Sequence, residues 1–397
     1  MKVILIPILL LTSLAFAQID PKFTDLQNCR ACHDEQLADW STTWHSRTSE
    51  DKNELFSSLL TYTSKITHKA RAEVNLECAK CHNPRLSIDK IDKNYIYAKA
   101  FGLETEQTKE IDKKLHSTQT QNGISCYVCH NIDHIKDRGS LKEYGTDLFT
   151  WTKGDLIVGP YDESGRSIFH KNDHREFFED SNTLCNSCHS GNANIGNLPG
   201  YETGEEMAGH DISCVDCHMG SKKRGYIAPQ IAIENAPAKI RDIKSHLFAG
   251  ARNSDILTTA ISLSASENLG NIELLVQNLI PHKVPTGFSG RSIRIDIEFY
   301  SSDEKIIKKE YVNLRAKFLD RRGEEAFSYV ATKLENDTRL KPLESKTLVL
   351  KKPSGAKYLR AKANYYLVAP ELQGLLNLVD TTFTKAYPIL ETKLELN

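Results

Sequence analysis

Cys29-Arg30-Ala31-Cys32-His33 is the stretch on which the reading of this chain turns, because its spelling returns four more times. The repeats are Cys78-Ala79-Lys80-Cys81-His82, Cys126-Tyr127-Val128-Cys129-His130, Cys185-Asn186-Ser187-Cys188-His189 and Cys214-Val215-Asp216-Cys217-His218. The chain has 10 cysteines, and these five pairs use them all. With 14 histidines in 397 residues, chance placement of one after every pair has a probability on the order of 10⁻⁷ or less. Zinc ribbons and disulfides fit this spelling poorly, whereas C-x-x-C-H is the attachment motif of c-type haem. The two thiols add to the haem vinyl groups, and the next residue's imidazole meets the iron. Five covalent haem c groups are therefore expected, held by Cys29, Cys32, Cys78, Cys81, Cys126, Cys129, Cys185, Cys188, Cys214 and Cys217. His33, His82, His130, His189 and His218 are the expected proximal ligands.

The second axial ligand decides what each iron can do. Two imidazoles leave only electron exchange, whereas an open sixth position admits a small molecule. Nine histidines lie outside the motifs, enough for complete bis-histidine ligation. His45 follows Trp40-Ser41-Thr42-Thr43-Trp44 in a helical-looking stretch, where the tryptophans could lie against a porphyrin. His68 and His116 each stand ten residues before a motif cysteine, which hints at a repeated unit. His170 and His174 share a face if their segment is helical, and one of them is expected to bind iron. His246, after the last motif, is placed to close an unfilled site. His134 and His210 read as surface or supporting groups, and Met219 as packing.

Outward from the motifs, the chain opens on Lys2, an apolar run from Val3 to Leu14 and Ala15-Phe16-Ala17. This has the form of a cleavable secretory signal over residues 1–17, with export to the periplasm or cell surface expected. The formal net charge of −1 offers no field for gathering nucleic acid, and no later apolar run approaches the length of a membrane span. Residues 18–252 form the expected pentahaem domain of short helices and loops. Beyond residue 253 cysteine disappears and apolar and polar residues alternate, as in Ile293, Ile295, Ile297 and Phe299 against Arg294, Asp296 and Glu298. Further strands are expected at Ile272–Leu279, Tyr311–Phe318 and Thr347–Leu350, and a terminal helix within 370–390. The expected fold class is α+β, a mainly helical and loop haem region followed by an antiparallel β-sandwich over 253–397. The one histidine there, His282, sits in the loop Pro281-His282-Lys283-Val284-Pro285-Thr286-Gly287, from which it could reach a haem and join the two domains.

Trp40 to His45, Gly123-Ile124-Ser125 before Cys126, Gly159-Pro160 leading to His170, and Ser213 through Met219 followed by His246-Leu247-Phe248 resemble multihaem c-type cytochromes related to the tetrahaem electron carrier of nitrifying bacteria. The resemblance covers roughly residues 25 to 250, and the fifth motif departs from it. It implies distal-ligand roles for His45, His170 and His246, and a similar role for His282 by likeness to the β-sandwich tails of related proteins. The expected metal-ligand set also includes His116, on its spacing before Cys126 rather than on the resemblance. The resemblance implies electron transfer between redox partners, such as a quinol-side donor and a terminal reductase. Two other readings stand beside it: an oxidoreductase acting on a small nitrogen or sulfur compound at one open-site haem, and a haem-conducting structural subunit of a membrane complex or filament. The broader group contains enzymes, so catalysis stays open.

Overall fold

A computed structural model of the chain describes residues 20–161, 167, 169–194, 196–230, 239–250 and 252–397. The expected signal stretch, residues 1–17, lies outside them. All fourteen histidines and all ten cysteines lie within them.

The motif-bearing part is built from short helices joined by loops. Helix α1 (Asp34–Ser41) follows the first motif. Helix α2 (Glu54–Thr67) starts where the Asn53 side chain accepts the Phe56 N–H at 3.0 Å, which satisfies a backbone donor left free by the first turn. It ends at His68, whose φ of 58° turns the chain out of the helix. Helix α3 (Arg71–His82) carries the second motif at its C-terminal end, and α4 (Ser181–His189) carries the fourth. The third and fifth motifs occupy single turns, Cys126–Cys129 and Cys214–His218. Helical geometry is what the attachment motif requires, because residues three apart share one face and both cysteines then point the same way. None of the cysteines forms a disulfide.

The C-terminal part opens with a short helix (Ser254–Ala260) and continues as antiparallel strands. These are β1 (Ile261–Asn268), β2 (Asn271–Asn278), β3 (Ser292–Tyr300), β4 (Ile306–Leu314), β5 (Ala316–Leu319), β6 (Glu325–Ala326), β7 (Lys333–Asp337), β8 (Ser345–Lys351), β9 (Tyr358–Tyr366) and β10 (Tyr387–Glu395). One sheet has the order β8-β2-β1, a second β4-β3-β9-β10, and a small third β6-β5-β7. Alternation decides which side is buried. Ile293, Ile295, Ile297 and Phe299 of β3 pack with Ile272, Leu274 and Val276 of β2 and with Leu359, Ala361 and Ala363 of β9 in one core. The α+β class stands. Leu55 of α2 belongs to this same core, with Trp44, Leu59 and Tyr62 packed against it, so the two parts of the chain share apolar contact.

The structure differs from the sequence expectations at four places. Within 370–390 the helix is one turn, Pro370–Gln373, and Tyr387 begins a strand; the alternation of half-buried Leu390 and Leu394 with exposed Glu391, Lys393 and Glu395 suits an edge strand beside β9. The strand expected at Tyr311–Phe318 begins at Ile306 and breaks at Arg315. The segment around His170 and His174 is extended, with Lys171–His174 pairing parallel to Leu156–Gly159, so the two histidines share no helix face. The helical stretch before His45 ends at Ser41. Among the described residues no helix is long and apolar enough to cross a membrane.

Phe299 is fully buried in the shared core. Phe299→Ala should destabilise the β-rich part by about 3–5 kcal/mol, the usual cost of the lost transfer energy plus the cavity, measured as a lower midpoint in denaturant unfolding followed by far-UV circular dichroism.

Candidate haem centres

A cavity of about 2210 Å³ runs through the molecule, well above the roughly 300–1,000 Å³ of a pocket for one ligand. All ten motif cysteines and all five motif histidines line it, together with His45, His170, His246 and His282. Cysteines of different motifs meet in its wall: Cys29 with Cys126, Cys81 with Cys188, and Cys185 with Cys214. The first motif therefore neighbours the third, the second neighbours the fourth, and the fourth neighbours the fifth.

Four motif histidines each face a second histidine. His33 and His170 have ring centres 6.4 Å apart at an interplanar angle of 29°; His130 and His246, 6.3 Å and 28°; His218 and His282, 6.5 Å and 17°; His189 and His45, 6.3 Å and 53°. This spacing is wider than face-to-face ring contact. It fits one metal ion between two imidazoles, since a metal–nitrogen distance of ~2 Å plus ~1.2 Å from nitrogen to ring centre, counted on both sides, gives ~6.4 Å.

Protonation agrees with that fit. The Nδ1 atoms of His130, His218, His33 and His282 lie 2.6, 2.5, 3.2 and 3.0 Å from the carbonyls of Val158, Ala249, Ile227 and Lys283. A carbonyl only accepts, so Nδ1 carries the proton and Nε2 keeps its lone pair for a metal. Burial pushes the imidazoles of His45, His82, His246 and His282 down to about 4, and that of His189 to about 3, with smaller contributions from neighbouring groups. Desolvation thus favours the neutral form, the form that ligates.

The second motif is different. His82 stacks on Phe56 with centres 4.2 Å apart and planes 4° from parallel, and its buried Nδ1 has no hydrogen-bond partner. No histidine stands opposite it. Phe56 gave no signal in the sequence, being an apolar residue of an amphipathic helix.

The structure does not bring His116 to a motif histidine. Helix Glu106–Leu115 delivers it to the surface, where Asp51 takes its ring at 2.9 Å. The matching position, His68, is likewise exposed, at the end of α2. His174 contacts Glu179 at 2.9 Å, and neither His134 nor His210 lines the cavity.

The loop bearing His282 is held by charges that no local pattern in the chain groups together. Arg339 lies 3.3 Å from Glu206, 3.2 Å from Glu202 and 2.7 Å from Asp337. The Lys283 N–H donates to Glu206 at 3.1 Å, and the Thr286 hydroxyl donates to the same carboxylate at 2.5 Å. Glu202 and Glu206 belong to the segment between the fourth and fifth motifs, so this network fastens the β-rich part beside His218.

A helical and loop region wrapped around C-x-x-C-H motifs and joined to antiparallel sheets is an arrangement this chain shares with known multihaem proteins. Residues 28–131 match the family model of cytochrome c554 and c-prime. The penta-haem cytochrome c552 of Thermochromatium tepidum shares the fold: it aligns over 93% of this chain and 97% of its own with a TM-score of 0.70 at 18% identity. No curated protein matches the chain. The family match spans the first three motifs, and the structural match shows that the whole chain shares the fold of a penta-haem protein.

The side chains of Arg339 and Glu206 are 8% and 3% exposed. Arg339→Met should cost up to about 3–5 kcal/mol, because it leaves the buried Glu206 with only the more distant Lys283 ammonium, 3.9 Å away. Thermal unfolding of the holoprotein would register this as a lowered midpoint, and Arg339→Lys should recover part of the loss.

Proposed function

We propose that the chain holds five haem c groups and carries electrons between redox partners outside the cytoplasm, after removal of residues 1–17. The observation that supports this most is the set of four histidine pairs across one cavity lined by all five motifs. On this reading Cys29/Cys32, Cys126/Cys129, Cys185/Cys188 and Cys214/Cys217 hold haems ligated by His33 with His170, His130 with His246, His189 with His45, and His218 with His282. Haem supplies one-electron redox chemistry within a dry enclosure, and this chain's residues fix its axial ligands and exclude water. The neighbouring cysteines give an order of first, third, fourth and fifth motifs, with Cys129 and Cys188 close enough to interact electrostatically, and the second beside the fourth. The fifth motif is the expected exchange point with a partner, since Cys217 is exposed. Residues 18–252 and 253–397 are the proposed domains, the latter contributing His282.

A second reading, an oxidoreductase, has its own observation. His82 faces no histidine, so the haem at Cys78/Cys81 would have one protein imidazole and a position open to a small ligand.

Low-temperature paramagnetic resonance of the oxidised holoprotein tests both readings. Four low-spin haems and one high-spin haem are expected, in a chain whose intact mass carries five haems. Five low-spin signals would remove the open site, and a mass with four haems or fewer would overturn the count. His282→Ala should turn one low-spin haem high-spin and leave the other signals unchanged; an unaltered spectrum would overturn that ligand assignment.

A further inference from the structure

Arg291 stands just before β3, nine residues beyond His282 in the chain and deep in the molecule. Its remaining accessible surface opens on the central cavity. Its guanidinium cannot lose its charge under ordinary conditions, and a buried cation without a counter-charge is costly. Among the described residues no carboxylate pairs with it. Its Nη1 donates to the Thr286 carbonyl at 2.8 Å, while its buried Nε has no partner.

Around it stand three tyrosine hydroxyls, each able to donate a hydrogen bond. Tyr201, Tyr329 and Tyr365 are the side chains that interact with it electrostatically, and the Tyr365 hydroxyl is also buried without a partner. The backbone has been shaped to let them converge. A Cβ on Gly287, whose φ is +78°, would lie 2.8 Å from the Tyr201 ring and 3.0 Å from Arg291 Nη1, so only glycine allows the loop to pass this close without displacing them. The cluster is beside the fourth motif: the Tyr201 ring centre is 5.9 Å from that of His189, and Arg291 lies near enough to His189 and His282 to act on both.

We infer that Arg291, with the tyrosine hydroxyls around it, is an anion site that takes a carboxylate at the seam between the motif-bearing and β-rich parts. A planar guanidinium fork with free N–H groups matches carboxylate geometry, and two orphaned donors in one place account for each other once an acceptor lies between them. The source of the carboxylate is a propionate of the haem at Cys185/Cys188, which rests on the haem reading above; a free carboxylate reaching the cavity has the same chemistry. Tying a propionate to a buried cation offsets its negative charge and favours the reduced haem, so Arg291 acts as a positioning and potential-setting residue for the fourth haem.

Redox titration of the full-length holoprotein tests this, with intact mass confirming the haem content of each variant. In Arg291→Met the potential of one haem should fall while the others hold, and Arg291→Lys should restore most of the shift. Tyr365→Phe, which removes one hydroxyl and keeps the packing, should lower the same haem's potential by less, and it serves if the methionine variant does not accumulate. A shift independent of added acetate assigns the propionate; a wild-type potential that moves with acetate, lost in Arg291→Met, assigns a free carboxylate. Potentials unchanged in Arg291→Met and Tyr365→Phe at every acetate concentration, or a lysine variant shifted as far as the methionine one, would overturn the inference. A mass lacking the haem at Cys185/Cys188 in the wild-type protein would instead defeat the haem reading on which it rests.

Discussion

The histidine pairs that face each other across the interior are the constraint to which the rest of the structure answers. Each pair joins segments far apart in the chain: His33 to His170, His45 to His189, His130 to His246, and His218 to His282. Loops without much regular structure cannot hold such spacings by backbone hydrogen bonding alone. The local devices fit that need. Carbonyls fix the Nδ1 side of several rings, motif cysteines sit on helical turns, and short strand pairs, such as Leu156–Gly159 with Lys171–His174, bring distant segments alongside. The Val158 carbonyl that orients His130 lies in one strand of that pair, and His170 directly precedes the other. A small ladder thereby serves two histidine pairs at once.

Much of this was legible in the sequence, for different reasons in different places. The motifs carry their chemistry in a fixed local spelling, so reading them requires no knowledge of the fold. The strands of the C-terminal part were legible where one face is buried and the other wet, as at Ile293 to Phe299. The distal histidines were harder. His68 and His116 share a spacing to the next motif, yet both are exposed where the helices preceding them end. His282 lies in the part of the chain without cysteine and still comes within 6.5 Å of His218. Sequence distance to a motif carries little information about a partner supplied by tertiary folding.

Phe56, Arg291 and the Arg339 network were not legible at all. Phe56 reads as one more apolar residue on a helix, and nothing local says that its ring will lie flat on His82. The partners of Arg339 are Glu202, Glu206 and Asp337, two of which come from the segment between the fourth and fifth motifs. Charge pairing across that distance leaves no periodic trace, and each of these residues would pass as surface if read alone.

The β-rich part is more than an appendage on this geometry. Its apolar core takes in Leu55 from α2, its loop after β2 presents His282 to the fifth motif, and Arg291, just before its third strand, stands beside the fourth. Hydrophobic contact, charge pairing and the approach of a histidine all act across the same seam, so a shift of the β-rich part would disturb the last two motifs together. The second motif is held differently. Phe56 and Leu60 of α2 pack with Val74 of α3, and Cys78 lies against them, so the apolar side of the second motif is set within one pair of adjoining helices, while Thr48 and Cys188 reach it from outside. The motif histidine that faces no other histidine thus takes its apolar support from the motif-bearing part alone, whereas those of the last two motifs depend on contacts drawn from both halves of the chain.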